Sequence, residues 1–132
     1  EHGLVIINTS ADLLSDEDRK TLDDLNVAVF NHDATKLALE IGKTELSTNM
    51  AMIGACAGIT NIVSLKALDG AIQDRFGKRY VASGGTATLD EAIKKKYAKK
   101  EMLLKANMDT IIKGHELASE WTKTQNLQLV EV

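Results

Sequence analysis

Cysteine and aromatic residues are scarce in this sequence, and proline is absent. Its 132 residues include one cysteine, Cys56, with one tryptophan, two tyrosines and two phenylalanines. A single thiol excludes an internal disulfide, and it cannot supply the four thiolates of a Cys₄ zinc site or of an iron–sulfur cluster. We therefore expect no metal centre that this chain holds alone.

Long apolar runs are also missing. The longest unbroken runs have four residues, at 4–7, 27–30 and 50–53, whereas a helix needs about 20 apolar residues to cross a bilayer. The chain does not open with a basic segment and an apolar stretch, so no signal peptide is visible. With 44% hydrophobic and 27% charged residues, the composition is typical of a globular protein with one core. We predict a cytoplasmic protein that does not contact a membrane.

Charge is divided unevenly along the chain. Residues 1–50 hold 10 acidic and 4 basic residues, and residues 51–132 hold 9 acidic and 12 basic residues. Most of the basic excess lies in Lys94–Lys100 and at Lys105, a pattern that could bind nucleic acid through phosphate contacts. Glu91 and Glu101 are interspersed, however, and favour a solvated helix face with ion pairs three or four residues apart. The shortage of aromatic side chains also disfavours single-stranded nucleic acid, which stacks on them.

Two apolar segments predict a pair of parallel strands. Leu4–Asn8 is short and rich in β-branched residues, which favours a strand buried on both faces, and Val27–Asn31 has a similar character. Ser15 followed by three acidic residues marks a helix start, and this helix is expected to bury Leu22 and Leu25. Eighteen residues separate the strands, which is enough for a helical crossover. The sequence therefore predicts a right-handed βαβ unit.

A helix over about 46–60 is unusual in its small residues. They share one face of the helix: Ala51, Gly54, Ala55 and Gly58. Glycine inside a helix costs about 1 kcal/mol relative to alanine, so two glycines four residues apart indicate the close approach of another backbone. Cys56 lies in the same helix and is expected to be a small buried hydrophobic residue.

Further helices follow from caps and stops. A short helix is predicted from Ala34 to Gly42, and a second from its cap Ser64 to Gly77. Residues 81–86 indicate a linker, because their Gly-Gly pair lacks the spacing of a phosphate-binding loop. Thr88-Leu89-Asp90-Glu91 is a capping box that begins a long helix to about Trp121. Residues 126–132 are expected to form a terminal strand or arm.

No catalytic arrangement is evident in the sequence. His2, His32 and His115 are scattered, without a nucleophile or further ligand at a telling spacing, and we interpret them as structural or solvent-facing. Cys56 on an apolar helix face is expected to be a poor nucleophile. We therefore predict no catalytic residue in this chain. An independent nucleotide-binding α/β enzyme is a weaker hypothesis, because no strand is followed by a G-x-G-x-x-G turn.

Several segments together carry a family resemblance through their order and spacing. They are Asn49–Ala55, Gly58–Leu65, the positions Leu68 and Ile72, Phe76–Lys78, and Asn107–Gly114. In this order they resemble the gamma subunit of 2-oxoacid:ferredoxin oxidoreductases, which has a small-residue helix, a following serine-capped helix and a later glycine-ended segment. The two predicted strands also stand where that family has them. The resemblance covers most of residues 4–116.

The resemblance implies a subunit of an enzyme complex. Such enzymes decarboxylate pyruvate or another 2-oxoacid on thiamine diphosphate and Mg²⁺, pass electrons through [4Fe–4S] clusters to ferredoxin, and transfer the acyl group to coenzyme A. This chain has too few cysteines for a cluster and no Gly-Asp-Gly segment of the kind that holds the diphosphate's metal. The cofactors and the active centre are therefore expected on alpha-, beta- and delta-type partner subunits. This chain is expected to act as a scaffold in the hetero-oligomer.

The sequence departs from the family pattern at two places. The family's N-terminal glycine-rich turn, its candidate for facing a nucleotide or coenzyme A, has no counterpart here, so we expect that the N-terminal portion of the domain is missing. Residues 80–105 resemble an insertion, for which a surface or subunit contact is expected. Asn49, at the start of the small-residue helix, is the candidate cofactor-binding side chain. The competing interpretation of Asn49 is an N-terminal helix cap.

Taken together, the predicted fold class is α/β. We expect a three-layer Rossmann-like sheet with flanking helices, without its N-terminal portion and with a helical C-terminal extension. Residues 1–80 are predicted to form the C-terminal part of a gamma-type domain. Residues 81–132 are predicted to form a linker, a long helix and an arm that pack on this domain or on partners. The alternative function is a stand-alone binding module, for nucleic acid through Lys94–Lys100, and its mark would be salt-dependent affinity.

Overall fold

The computed structural model describes residues 2–77 and 90–127. Two strands and five helices follow one another along the described chain. They are β1 (Leu4–Asn8), α1 (Asp16–Asp24), β2 (Ala28–His32), α2 (Ala34–Leu37), α3 (Thr48–Thr60), α4 (Leu65–Gly77) and α5 (Asp90–Lys123). A π-helical turn, Ala38–Gly42, continues α2, and a 3₁₀ turn, Glu45–Ser47, leads into α3.

The βαβ unit is confirmed. β1 and β2 are parallel neighbours, in a register that pairs Leu4 with Ala28 and Asn8 with His32. Ser15 is the N-cap of the intervening helix α1, and its side chain accepts a hydrogen bond from the Asp18 N–H. The apolar runs and the acidic first turn therefore encode this part of the fold as expected.

The sheet is smaller than the sequence predicts. The described residues form a mixed α/β arrangement that is mostly helical, with a two-stranded parallel sheet, and they do not show a three-layer sheet. Residues 4–7 of β1 are half-buried, so the expectation of a strand buried on both faces is wrong for the described chain. The reason is that β1 has β2 along one edge and helices α3 and α5 over one face.

Helix α1 also differs from expectation. Leu22 is half-buried, but Leu25 is 41% exposed, and α1 contains no buried residue. Leu25 stands just after the last helical residue, where its N–H caps the helix by donating to the Thr21 carbonyl. The prediction that Leu25 is buried is therefore wrong, since the end of α1 lies at the surface.

The close approach predicted from the glycines of α3 is confirmed. A Cβ atom at Gly54 would lie 2.2 Å from the Ile111 carbonyl oxygen, and one at Gly58 would lie 2.5 Å from the His115 carbonyl oxygen. The partner helix α5 has its own glycine at the contact, because a Cβ at Gly114 would lie 2.6 Å from the Ala51 carbonyl oxygen. Real Cβ atoms essentially never come this close to backbone atoms. Glycine is therefore required at these contacts between α3 and α5.

Helices α3 and α5 run in the same direction. At the start of α3 the Ser47 hydroxyl donates to Asn107 Oδ1 over 2.8 Å, and further along the Ser119 hydroxyl donates to the Gly58 carbonyl over 3.3 Å. Residue numbers thus rise together along the two helices. Such a pair cannot be joined by a short hairpin, so the chain returns through α4 before α5 begins.

The described residues form three apolar clusters around this helix pair. One joins the sheet to α3 and α5, one joins α2 to α3, and one joins α4 to α5. Their buried members are Phe30, Ala55, Ile59 and Ala118; Ala34, Leu37 and Ala51; and Ile72, Leu104 and Ile111. Cys56 is half-buried, so the prediction that it is buried is wrong. It lies on the side of α3 away from α5, where it is less enclosed.

The remaining helix predictions are largely confirmed. Ser64 caps α4 through a hydrogen bond from the Ala67 N–H, and α4 ends at Gly77. The long helix α5 runs to Lys123, two residues beyond the predicted end. Three predictions fall wholly or partly outside the described residues. They are the linker 81–86, the capping box at its residue Thr88, and the arm at its residues 128–132. Within the described part of the chain, every helix is too short or too polar to span a bilayer.

Candidate functional site

Asn49 lies on the exposed surface of α3. It is the second residue of the helix and is exposed. The N-cap is Ser47, whose hydroxyl donates to Asn107 rather than capping the helix. The capping interpretation of Asn49 is therefore wrong, because the N-cap position lies two residues before it, at Ser47. The exposed amide of Asn49 is free to face another molecule.

The surface around Asn49 is uncharged and rich in apolar side chains. Residues 46–65 include no Asp, Glu, Lys or Arg. We define the outer face as the side of α3, and of the 3₁₀ turn before it, that faces away from α5. Its members are Leu46 in the turn and Asn49, Met52, Ile53 and Cys56 in the helix. Leu46 is 88% exposed and Ile53 is 42% exposed, and Met52 and Cys56 are half-buried. A helix that is apolar all round is normally buried, so the outer face is the candidate functional site, a contact surface.

The carboxyl ends of the strands, where open α/β sheets bind ligands, carry polar side chains here. Asn8 Nδ2 donates to Thr35 Oγ1 over 2.9 Å, and Asn8 Oδ1 accepts from the Ala34 N–H over 3.0 Å. Asp33 caps the same helix by accepting from the Lys36 N–H over 3.1 Å. These polar groups hold the start of α2 on β1, and their hydrogen-bonding capacity is used within the chain. This role of Asn8 was not predicted, although an Asn as the last residue of a strand was the available signal.

His32 is buried at the end of β2. Its side chain is 4% exposed, and its Nε2 atom has no hydrogen-bond partner. Its ring stacks on Phe30 with ring centroids 5.3 Å apart, and Phe30 lies 4.8 Å from Trp121. Burial lowers the pKa of His32, whereas a backbone hydrogen bond at Ala51 and the charge of Asp33 act in the opposite direction. His32 is therefore a neutral structural histidine at pH 7, consistent with its expected structural role.

The other histidines do not build a catalytic set among the described residues. His115 Nδ1 lies 3.4 Å from the Ser119 hydroxyl, which itself donates to the Gly58 carbonyl, so this pair belongs to the contact between α3 and α5. His2 has a left-handed backbone with φ of 56° and lines an open cavity of about 320 Å³ at the amino ends of the strands. In the described part of the chain, no three His, Cys, Asp or Glu side chains are grouped to hold a metal ion.

The comparison with protein families identifies the class of this protein. The sequence profile of the pyruvate ferredoxin/flavodoxin oxidoreductase family matches residues 1–85. This match includes the βαβ unit, α3 with its outer face, and α4. The chain belongs to this family.

A curated relative extends the identification. Pyruvate synthase subunit PorC of Methanocaldococcus jannaschii is 39% identical over 74 residues, which are 56% of this chain and 36% of the relative. The chain thus spans about a third of the length of the relative that it matches. No solved structure gives a significant match.

Proposed function

We propose that this chain is a gamma-type subunit of a cytoplasmic, thiamine diphosphate-dependent 2-oxoacid:ferredoxin oxidoreductase. The observation that carries the proposal is the family match over residues 1–85, supported by 39% identity to a pyruvate synthase subunit. The overall reaction is the oxidative decarboxylation of pyruvate or another 2-oxoacid to acyl-coenzyme A, with reduction of ferredoxin. Alpha-, beta- and delta-type subunits are its proposed partners.

The chain's own residues do not fit the redox cofactors of such an enzyme. A [4Fe–4S] cluster needs four thiolate ligands, and the sequence has one cysteine, Cys56, which is half-buried on α3. The sequence also lacks the Gly-Asp-Gly segment expected of a thiamine diphosphate–Mg²⁺ site. We therefore place these cofactors, and the active centre, on the partner subunits.

The role proposed for this chain is to bind and position its partners. The outer face of α3 is uncharged and exposes Leu46 and Ile53, which favours burial against another protein surface. Asn49 lies on this face and would direct its amide toward the partner or toward coenzyme A bound at the interface. The close contact of α3 with α5 through Gly54 and Gly58 covers the opposite side of α3 and leaves the outer face available for a partner.

We also propose that the small sheet is part of a larger one. β1 and β2 are both edge strands within the described chain, and residues 4–7 are half-buried. An edge with apolar side chains favours pairing with a further strand. Strands from an N-terminal portion of the domain would complete the three-layer sheet, and residues 81–132 would add α5 and the arm to it.

The test is an anaerobic purification of the affinity-tagged chain from its native cells. We expect it to copurify with chains that carry thiamine diphosphate and iron–sulfur clusters, identified by mass spectrometry, thiamine analysis and the visible absorption of the clusters. The double variant L46E/I53E should lose these partners, because two carboxylates cannot be buried against an apolar surface. The control D69K/G70A changes α4, where both positions are exposed, and should keep them. A chain that purifies without such partners would contradict the proposal.

A further inference from the structure

A segment in the first half of α5 is exposed. From Lys95 to Leu103 the described side chains are exposed, apart from the half-buried Lys100. Leu104, the next residue, is 8% exposed. We call residues 95–103 the lysine arm, and at 1.5 Å per residue the arm is about 13 Å long. Because its described side chains are largely exposed, the arm is a candidate for packing against another molecule.

The lysine arm combines positive charge with apolar side chains. Residues 95–103 hold four lysines and one glutamate, a net charge of +3. Among the described residues, Lys95, Lys96 and Lys99 form no ion pair. Met102 is 73% exposed and Leu103 is 49% exposed. This combination fits a partner surface that is acidic and carries apolar side chains of its own.

The same chain presents such a surface at α1. Residues 12–24 hold six acidic and two basic residues, a net charge of −4, and α1 has no buried residue. Arg19 pairs with Asp12, and the Leu14 N–H and Arg19 both lower the pKa of the Asp12 carboxyl, so it stays ionised. Leu13 is 69% exposed and Leu25 is 41% exposed, one at each end of the helix. We call residues 12–25 the acidic surface.

We propose that the lysine arm of one copy docks on the acidic surface of a second copy of this chain. The two surfaces have opposite net charges, +3 and −4, and each exposes two large apolar side chains. A two-fold dimer would form the contact twice. The lysine arm lies beyond residues 1–85, which match the family, so this association goes beyond the proposed function and does not depend on it.

Protein is favoured over nucleic acid as the occupant for a physical reason. Contacts with nucleic-acid phosphates would use the lysines but would leave Met102 and Leu103 exposed. Glu101 would also repel the negatively charged phosphate backbone of the nucleic acid. Docking on the acidic surface uses both the charges and the apolar side chains. Complementary charge gives specificity and speeds association, and it makes the contact salt-dependent.

The test is sedimentation equilibrium of the full-length product of the gene, purified free of other subunits. It is measured at about 0.05 M and about 0.5 M salt, because the Debye length falls roughly from 14 to 4 Å between these concentrations. We expect a dimer at low salt and at least tenfold weaker association at high salt. The variants K95E/K99E and D23K/D24K should each weaken association at least tenfold. An equimolar mixture of the two should associate more tightly than either variant alone, because the unaltered arm of one variant then faces the unaltered acidic surface of the other. The control K66E/K123E, with the same charge change at exposed sites elsewhere, should associate normally.

Each other outcome decides against the proposal. A parent chain that stays monomeric at low salt overturns it, as does association that both arm and surface variants leave unchanged. If the mixture fails to associate although each variant has the parent's circular dichroism spectrum, the lysine arm and the acidic surface are not partners. A monomer that binds a 20-base-pair DNA duplex, with affinity lost in K95E/K99E, would assign the lysine arm to nucleic acid instead.

Discussion

The glycine contact between α3 and α5 gives the sharpest prediction about stability. In Gly54→Ala the new Cβ would lie 2.2 Å from the Ile111 carbonyl oxygen and 3.0 Å from the Ile111 Cα, where 3.4–4 Å is ordinary contact. Both atoms belong to a helix backbone, which cannot rotate away as a side chain can. The two helices must separate by about 1 Å, and their packing is loosened along the whole contact.

The expected change in the free energy of unfolding is the difference between two opposing effects. Alanine gains about 1 kcal/mol over glycine in a helix, whereas overpacking of this kind costs about 3 kcal/mol or more. We expect Gly54→Ala to lower the free energy of unfolding by about 2 kcal/mol. At roughly 2.1 cal/mol/K per residue, this lowers the Tm by about 7 °C for a chain of this length.

Gly70→Ala is the matched control. Gly70 lies in α4, and a Cβ there has no neighbour within 4 Å, so only the helical gain of about 1 kcal/mol applies. We expect its Tm to rise by about 4 °C. Urea unfolding followed by circular dichroism measures the free energy of unfolding of both variants, and thermal unfolding measures their Tm. A Gly54→Ala variant as stable as Gly70→Ala would refute the close contact of α3 and α5.

Three further predictions concern local interactions. Asn8→Ala should lower the free energy of unfolding by about 1–2 kcal/mol in urea titrations, because it leaves the start of α2 without its hydrogen-bond partners. The control Asn31→Ala, at an exposed position, should change it by less than about 0.5 kcal/mol. Equal losses in the two variants would show that the Asn8 hydrogen bonds do not contribute to stability. Burial lowers the pKa of His32 in the folded chain, so the unfolded chain binds the proton more readily, and stability should fall as the pH drops below about 6.5. His32→Phe should reduce this pH dependence in urea titrations between pH 5 and 8, and an unchanged slope would assign it to other groups. Ser15→Ala should cost about 1 kcal/mol through loss of the α1 cap, measured by thermal unfolding, and an unchanged Tm would show that the cap is not needed.

Sequence patterns predicted the local structure of this chain well. The apolar runs at residues 4–7 and 27–30, with Ser15 and acidic residues between them, specify a parallel βαβ unit because each segment has one favourable conformation. Gly54 and Gly58 also revealed a close backbone contact, since glycine inside a helix otherwise only weakens it. These are local signals, and the structure confirms them.

Long-range relations were out of reach of the sequence. The residues around Gly54 do not indicate that its contact lies in α5, at Ile111, 57 positions further along the chain. They also do not indicate that the two helices are parallel. The burial of His32 likewise depends on α3, which packs against it from a distant part of the chain. Asn49 was the candidate site residue, and Ser47, Thr48 and Asn49 are all plausible caps in sequence. The 3₁₀ turn before α3 decides among them, and it leaves Asn49 exposed.

We propose that this chain contributes to an oxidoreductase whose reactive groups belong to its partners. Pyruvate-dependent reduction of ferredoxin, in the presence of coenzyme A, tests this when it is measured for this chain alone, for the purified partner subunits alone, and for both together. We expect turnover when the two are combined and none from this chain alone. Reduction of ferredoxin by this chain without any partner would contradict it.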